Sequence, residues 1–310
     1  PDAKCSDFVF CFRKKFCEVF SCSLKGPPDS AGRSFVIIGE KSHFRIVHKM
    51  ALKHPCIYDK INQLSHIICK EGNVMNRIVT MVLKNFWIVP GAWFKLCHYA
   101  KHVDDYPELE RWQHIQYILR RAITGGNVDL KVTGLENIPK ENGFMLYSNH
   151  QGMFDVLAIA ATCDNPLGAV LKKELYDIPF LHQISLCTKS FAMDREDVRQ
   201  SLTVIQNVTE EVKNGRSYLI FPEGTRSKLG NEMLEFHGGS FRCATKSKCT
   251  IVPIALIDCF KVLDQKGSKP VQVQLHYLTP IPYEEYAGMK PAEVAALVKA
   301  RIQKKIDECT

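Results

Sequence analysis

Between residues 128 and 308, short β-branched and aromatic runs alternate with segments whose apolar residues recur at helical spacing. No other feature narrows the fold as much. The runs VDLKVTG (128–134), FMLYSN (144–149), LGAVLK (167–172), SYLIF (217–221), TIVPIAL (250–256) and VQVQLHYL (271–278) are bounded by Gly, Pro, Asn or Lys, as strands are. Residues 153–163, 194–215, 239–247 and 291–308 carry the helical period, with Gly215 ending the second and Pro291 opening the last. The alternation predicts an α/β domain over 128–310, with a mixed, largely parallel central sheet flanked by helices. In such sheets ligands collect beyond the carboxyl ends of strands, where loops enter helices.

A chain of 310 residues that is 45% apolar can bury a sizeable core. Its net charge of +8 would suit an anionic partner, but residues 1–74 hold most of the excess, with 12 Lys and Arg against 7 Asp and Glu. The rest is near balance, so no nucleic acid partner is expected. Thirteen cysteines without a C-x-x-C pair or paired metal spacing predict reduced thiols in a cytoplasmic compartment and no bound metal.

Residues 1–74 show neither a helical nor an alternating apolar period and form an atypical N-terminal extension. Lys70-Glu71-Gly72, just before Met75, is what a purine-rich bacterial ribosome-binding sequence gives when read in frame. One expectation is therefore a translation start at Met75. The other is an ordinary, poorly patterned N-terminal region. From Met75 to residue 127 the chain predicts a helical, membrane-associating arm. Its apolar text is broken by Lys84, Pro90-Gly91 and Lys95, short of the ~18 to 20 residues a spanning helix needs. Phe86, Trp87, Trp93 and Phe94, flanked by lysines, suit a helix or hairpin turned at Pro90-Gly91 and lying in a lipid interface. The alternative is packing on the domain's own core. A second helix is predicted from Pro107 through Arg121, before Gly125-Gly126.

Two polar clusters follow predicted strands. In YSNHQGMFD (147–155), His150 and Asp155 are five apart, about 140° off each other's face on a continuous helix. They meet only if the chain bends. Asn149, Gln151 and Gly152 supply turn chemistry, with Gly152 tolerating a positive φ. Asp155 could then accept one ring N–H and fix the tautomer, leaving the other nitrogen to take a proton from a hydroxyl. Taken alone, the spacing is a weak signal and better suits a satisfied turn histidine and a carboxylate placed at a helix N-terminus. In FPEGTRS (221–227), Gly224 permits close backbone approach, Thr225 donates, and Arg226 offers a fork to phosphate oxygens. Glu223 is expected to orient Arg226 or to bond a substrate hydroxyl. The plain alternative is an exposed β-turn.

Together, NHQGMFD and FPEGTRS resemble the glycerolipid acyltransferase superfamily, most nearly the bacterial 1-acylglycerol-3-phosphate (lysophosphatidate) acyltransferases. The resemblance covers roughly residues 128–280 and includes FAMDR, with Arg195, and IVPIA, with Pro253. It implies that His150 and Asp155 form a catalytic dyad, and that Arg195, Glu223, Gly224, Thr225 and Arg226 hold the acceptor's phosphate. The implied reaction moves an acyl group from acyl-CoA or acyl carrier protein to the sn-2 hydroxyl of lysophosphatidate, giving phosphatidate for phospholipid biosynthesis. No cofactor beyond this thioester co-substrate is implied, and the place of action is the cytoplasmic face of the membrane. Lys189, where relatives usually have Gly, and His237, where they commonly have Lys, depart from the pattern and bear on acceptor choice.

Other expectations stay open. The acceptor could be another lysophospholipid or glycerol-3-phosphate. Backbone donors near Gly152 or Gly224 could stabilise the oxyanion. HGGS suggests a serine hydrolase or thioesterase using Ser240, although Arg242 stands where a nucleophile elbow has its second glycine. A non-catalytic lipid-binding module is a third class.

Overall fold

The computed structural model describes residues 77–310 apart from 266 and 268, so the expectations for residues 1–74 and for Met75 lie outside the described residues. Three helices come first, α1 (Arg77–Lys84), α2 (Val89–Lys101) and α3 (Glu108–Gly125). The sheet domain follows with β1 (Val128–Thr133), β2 (Met145–Ser148), α4 (Asp155–Thr162), β3 (Leu167–Lys172), α5 (Pro179–Cys187), β4 (Phe191–Met193), α6 (Val198–Lys213) and β5 (Ser217–Ile220). It closes with α7 (Arg242–Ser247), β6 (Ile251–Ile257), α8 (Phe260–Leu263), β7 (Val271–Tyr277) and α9 (Pro291–Cys309).

The seven strands lie in the order β1-β7-β6-β2-β5-β3-β4, and β6–β7 is the one antiparallel pair among them. Both faces are covered, which is why β2, β5 and β6 are buried at every position instead of alternating. Met145, Tyr147, Tyr218, Ile220, Ile251, Ala255 and Ile257 share one core with Val204, Val208 and Val212 of α6 and with Val294, Val298, Ile302 and Ile306 of α9. The α9 residues form one helical stripe, and each such side chain removed from water contributes about 1.5–3 kcal/mol. Leu146, Leu219 and Val252 alternate to the opposite face, where Ile115 and Leu119 of α3 and Ala158 and Ile159 of α4 are also buried. Pro253 is tolerated in central strand β6 because the β7 ladder begins one residue later, at Ile254, while its carbonyl accepts the Leu278 N–H at 2.9 Å.

The expected mixed, largely parallel sheet is present, with differences at its edges. The edge strand β4 and helix α5 were not predicted: a three-residue run shows no alternation, and PFLHQISLC has only a short apolar stripe. Helix α6 starts at Val198 instead of 194 because Asp197 caps it, its Oδ1 accepting the N–H groups of Arg199 at 2.9 Å and Gln200 at 3.0 Å. In the arm, the bend lies at 85–88 and not at Pro90-Gly91. Proline is tolerated in a helix's first turn, so Pro90 opens α2, whereas Asn85 Nδ2 ties the bend to the Met81 and Arg121 carbonyls at 2.8 and 3.0 Å. Packing on the domain's own core, the alternative for the arm, holds for one of its faces. Trp93, Leu96 and Tyr99 are buried in the same compact unit as the sheet, while Trp87 and Phe94 stay 61% and 60% exposed. Among the described residues no helix is long and apolar enough to cross a membrane.

Candidate active site

Strand β2 ends in the centre of the sheet, and the six residues after it turn back before α4 begins at Asp155. That turn brings the dyad together. His150 Nδ1 lies 2.7 Å from Asp155 Oδ2, with the imidazole 15% exposed and the carboxylate fully buried. The same oxygen accepts the backbone N–H groups of Gln151 at 2.6 Å and Gly152 at 2.9 Å. An oxygen that accepts two amides is an acceptor for the ring as well, so the imidazole proton sits on Nδ1 and Nε2 carries the lone pair. The Phe221 ring stacks on the imidazole at 4.2 Å and 23°, limiting its rotation. Burial pushes the Asp155 carboxyl up from its usual range, opposed by His150 and the two amides. Its Oδ1 is buried without a hydrogen-bond partner. A carboxylate so poorly solvated is stabilised by positive charge on the ring beside it.

The turn is held from below by side chains that motif spacing did not single out. Asn149 clamps β6 reciprocally, its Nδ2 donating to the Leu256 carbonyl at 2.9 Å and its Oδ1 accepting the Leu256 N–H at 2.8 Å. Gln151 accepts the Cys259 N–H at 2.9 Å and donates to Asn231 Oδ1 at 2.8 Å. Amides flanking His150 after a buried strand were the available signal, since buried polar side chains must find partners. Gly152 is required for a reason other than the one expected. Its φ is not positive; a Cβ there would meet Asp264 Oδ2 at 2.3 Å and the Phe260 Cα at 3.1 Å.

The turn after β5 lies against the first. Its Ser227 N–H donates to the His150 carbonyl at 2.8 Å. Glu223 is buried and does not orient Arg226: its Oε1 accepts the His150 N–H at 2.8 Å and its Oε2 the Leu234 N–H at 3.1 Å. Its role is to fix the dyad turn from behind. Burial raises its carboxyl, with these two amides opposing. Arg226 instead pairs with Asp264 through Nη1 and Oδ1 at 2.5 Å, and no sequence signal pointed to that aspartate. Gly224 adopts a left-handed φ of 69°, and a Cβ there would come within 3.2 Å of the His237 ring. Thr225 and Arg195 are exposed, and among the described residues no carboxylate closes an ion pair on Arg195. Arg195 stands between β4 and the Asp197 cap, at the carboxyl end of a parallel strand as the other site residues do.

Three further expectations concern groups beside these turns. The Gly152 and Gly224 N–H groups, considered as oxyanion donors, are already bonded to Asp155 Oδ2 and the Phe221 carbonyl. Ser240 lies on a single 3-10 turn, its carbonyl accepting the Tyr147 hydroxyl at 2.9 Å, and among the described residues no histidine bonds its hydroxyl. It lacks a base. Lys189 takes a left-handed φ of 51°, and its Nζ pairs with Asp104 at 3.0 Å.

The chain is similar to known proteins over this same region. A family model described as "Acyltransferase" matches residues 129–257. A 1-acyl-sn-glycerol-3-phosphate acyltransferase of Salmonella typhimurium is 31% identical over 182 residues, 58% of this chain and 74% of the relative. The enzyme of that name from Helicobacter pylori is 30% identical over 145 residues, 47% of this chain, and the chain spans 59% of that relative's length. The crystal structure of the 1-acyl-sn-glycerophosphate acyltransferase of Thermotoga maritima superposes with a TM-score of 0.62 at 21% identity, covering 75% of this chain and 96% of that one, and so has the same fold. With the family match and a relative 31% identical over 74% of its length, this chain belongs to the glycerolipid acyltransferase family.

Proposed function

We propose that this protein transfers a fatty acyl group from a thioester, acyl-CoA or acyl carrier protein, to the sn-2 hydroxyl of 1-acylglycerol-3-phosphate at a membrane surface, producing phosphatidate. The observation that supports this most is the His150–Asp155 bond with its proton assigned to Nδ1. It leaves Nε2 as the base. As the acceptor oxygen attacks the thioester carbonyl, its proton passes to Nε2, the carbon–sulfur bond breaks with the thiolate leaving, and the imidazolium returns the proton to sulfur. No covalent acyl-enzyme is needed. The charge formed on the ring lies beside a buried carboxylate with one unpartnered oxygen, which favours the protonated intermediate electrostatically.

Arg226, Thr225 and Arg195 would hold the acceptor's phosphate: each reaches the surface near a strand end, and a guanidinium grips phosphate through paired N–H donors. The exposed Trp87 and Phe94 of the arm suit contact with the lipid interface, where the acceptor resides. The test is an assay of the full chain with acyl-CoA and acyl carrier protein donors against a panel of lysolipids and glycerol-3-phosphate. Lysophosphatidate is expected to be the preferred acceptor, with His150→Ala losing nearly all turnover. A preference for glycerol-3-phosphate, or substantial activity in the alanine variant, overturns the acceptor or the base assignment respectively.

A further inference from the structure

Asp264 follows α8 and touches both halves of the site at once. Its Oδ1 pairs with Arg226 at 2.5 Å, while its Oδ2 accepts the Met153 N–H at 2.9 Å, inside the dyad turn between His150 and Asp155. Gly152 permits this approach, because any Cβ at that position would lie 2.3 Å from Oδ2. We infer that Asp264 is a positioning residue that couples the acceptor-phosphate arginine to the turn carrying the catalytic base. This rests on the assignment of Arg226 to the phosphate under the proposed function.

The two oxygens do separable work. A guanidinium has five N–H donors, and the ion pair engages one nitrogen of Arg226. Among the described residues its other N–H groups make no hydrogen bond, so the side chain is aimed without being used up. Aiming matters because an arginine loses much rotamer freedom when a ligand immobilises it, and a fork already held in place loses less. The Oδ2 bond, for its part, orders a backbone amide two residues from Asp155 and keeps the turn closed over the dyad. A bound phosphate and the placement of His150 are thereby linked through one carboxylate.

Steady-state kinetics on the full chain separates the two bonds. Asp264→Asn keeps an oxygen for the Met153 N–H but loses the ion pair. It should raise KM for lysophosphatidate about 5- to 20-fold while kcat stays within about twofold. Asp264→Ala loses both bonds and should add a fall in kcat of about 5- to 10-fold to the same rise in KM. Since Asp264→Ala could disturb folding, thermal unfolding of each variant accompanies the kinetics, and the near-isosteric asparagine carries the decision. In an Arg226→Ala background, Asp264→Asn should leave KM unchanged, because the residue it positions is gone. An unchanged or lowered KM in Asp264→Asn, or a full additional rise in the double variant, overturns the coupling. A normal KM in Arg226→Ala alone would instead overturn the phosphate assignment beneath it, and the coupling with it.

Discussion

The dyad turn after β2 and the rim side chains Thr225, Arg226 and Arg195 lie at the same end of the sheet, yet they are held in different ways. Around His150, backbone and side-chain groups are bonded from several sides: Asp155 is anchored by two amides, Glu223 by two more, and Asn149 and Gln151 tie the loop to β6 and to Cys259. At the rim, Thr225 and Arg195 are exposed and Arg226 is held by a single carboxylate. Under the proposed function, preorganisation is concentrated where His150 would take a proton along a fixed direction and is relaxed where a solvated phosphate would arrive and leave.

The largest effect should come from breaking the tied half. Asp155→Asn keeps the shape but cannot accept both amides and the ring N–H as a carboxylate does, so kcat should fall by about 10³- to 10⁴-fold in an acyl-transfer assay. A loss below tenfold would remove the distinction between the dyad turn and the rim. Asn149→Ala strands the Leu256 N–H and carbonyl in a fully buried strand, and urea unfolding should show about 2–4 kcal/mol of lost stability. Loss of less than 1 kcal/mol would mean that the clamp is incidental.

Glu223 sharpens the comparison through pH. Its carboxyl is raised by burial, so the folded state binds the proton more tightly than the unfolded chain does. Its contribution to stability is therefore fullest below the unfolded value near ~4.3 and declines as pH rises through the higher folded value. Glu223→Gln cannot titrate and lacks that decline. Relative to wild type it should gain stability between acid and neutral pH, measured by urea titration at each pH. A widening deficit with rising pH would show that the amide bonds from His150 and Leu234 outweigh burial.

Smaller effects belong to the rim and to the sheet edge. Lys189→Gly relieves a left-handed lysine, and after the greater chain entropy of glycine a net stabilisation of about 0.5–1 kcal/mol is expected in thermal unfolding. Thr225→Ala, at an exposed position, should change stability by less than about 0.5 kcal/mol. A larger loss there would show that the Thr225 side chain is structurally anchored after all.

Much of this was legible in the chain. Six of the seven strands and the two loops of the site follow from runs of residues whose burial is imposed by neighbours in sequence, because period and turn chemistry are local. Local chemistry also misled. Gly152 pointed to backbone freedom in the turn, and a proline-glycine pair suggested a turn; one answers to an approaching side chain and the other opens a helix.

By itself the sequence determined the α/β alternation, the placing of His150 and Glu223–Arg226 after strands, and the spacing that a bent dyad requires. Tertiary structure alone decided which partner each polar group takes. Glu223 holds the backbone of His150 across 73 residues, and Arg226 is met by Asp264 across 38. Such pairings depend on how the βα loops converge at the end of the sheet, and no period or local propensity encodes that convergence.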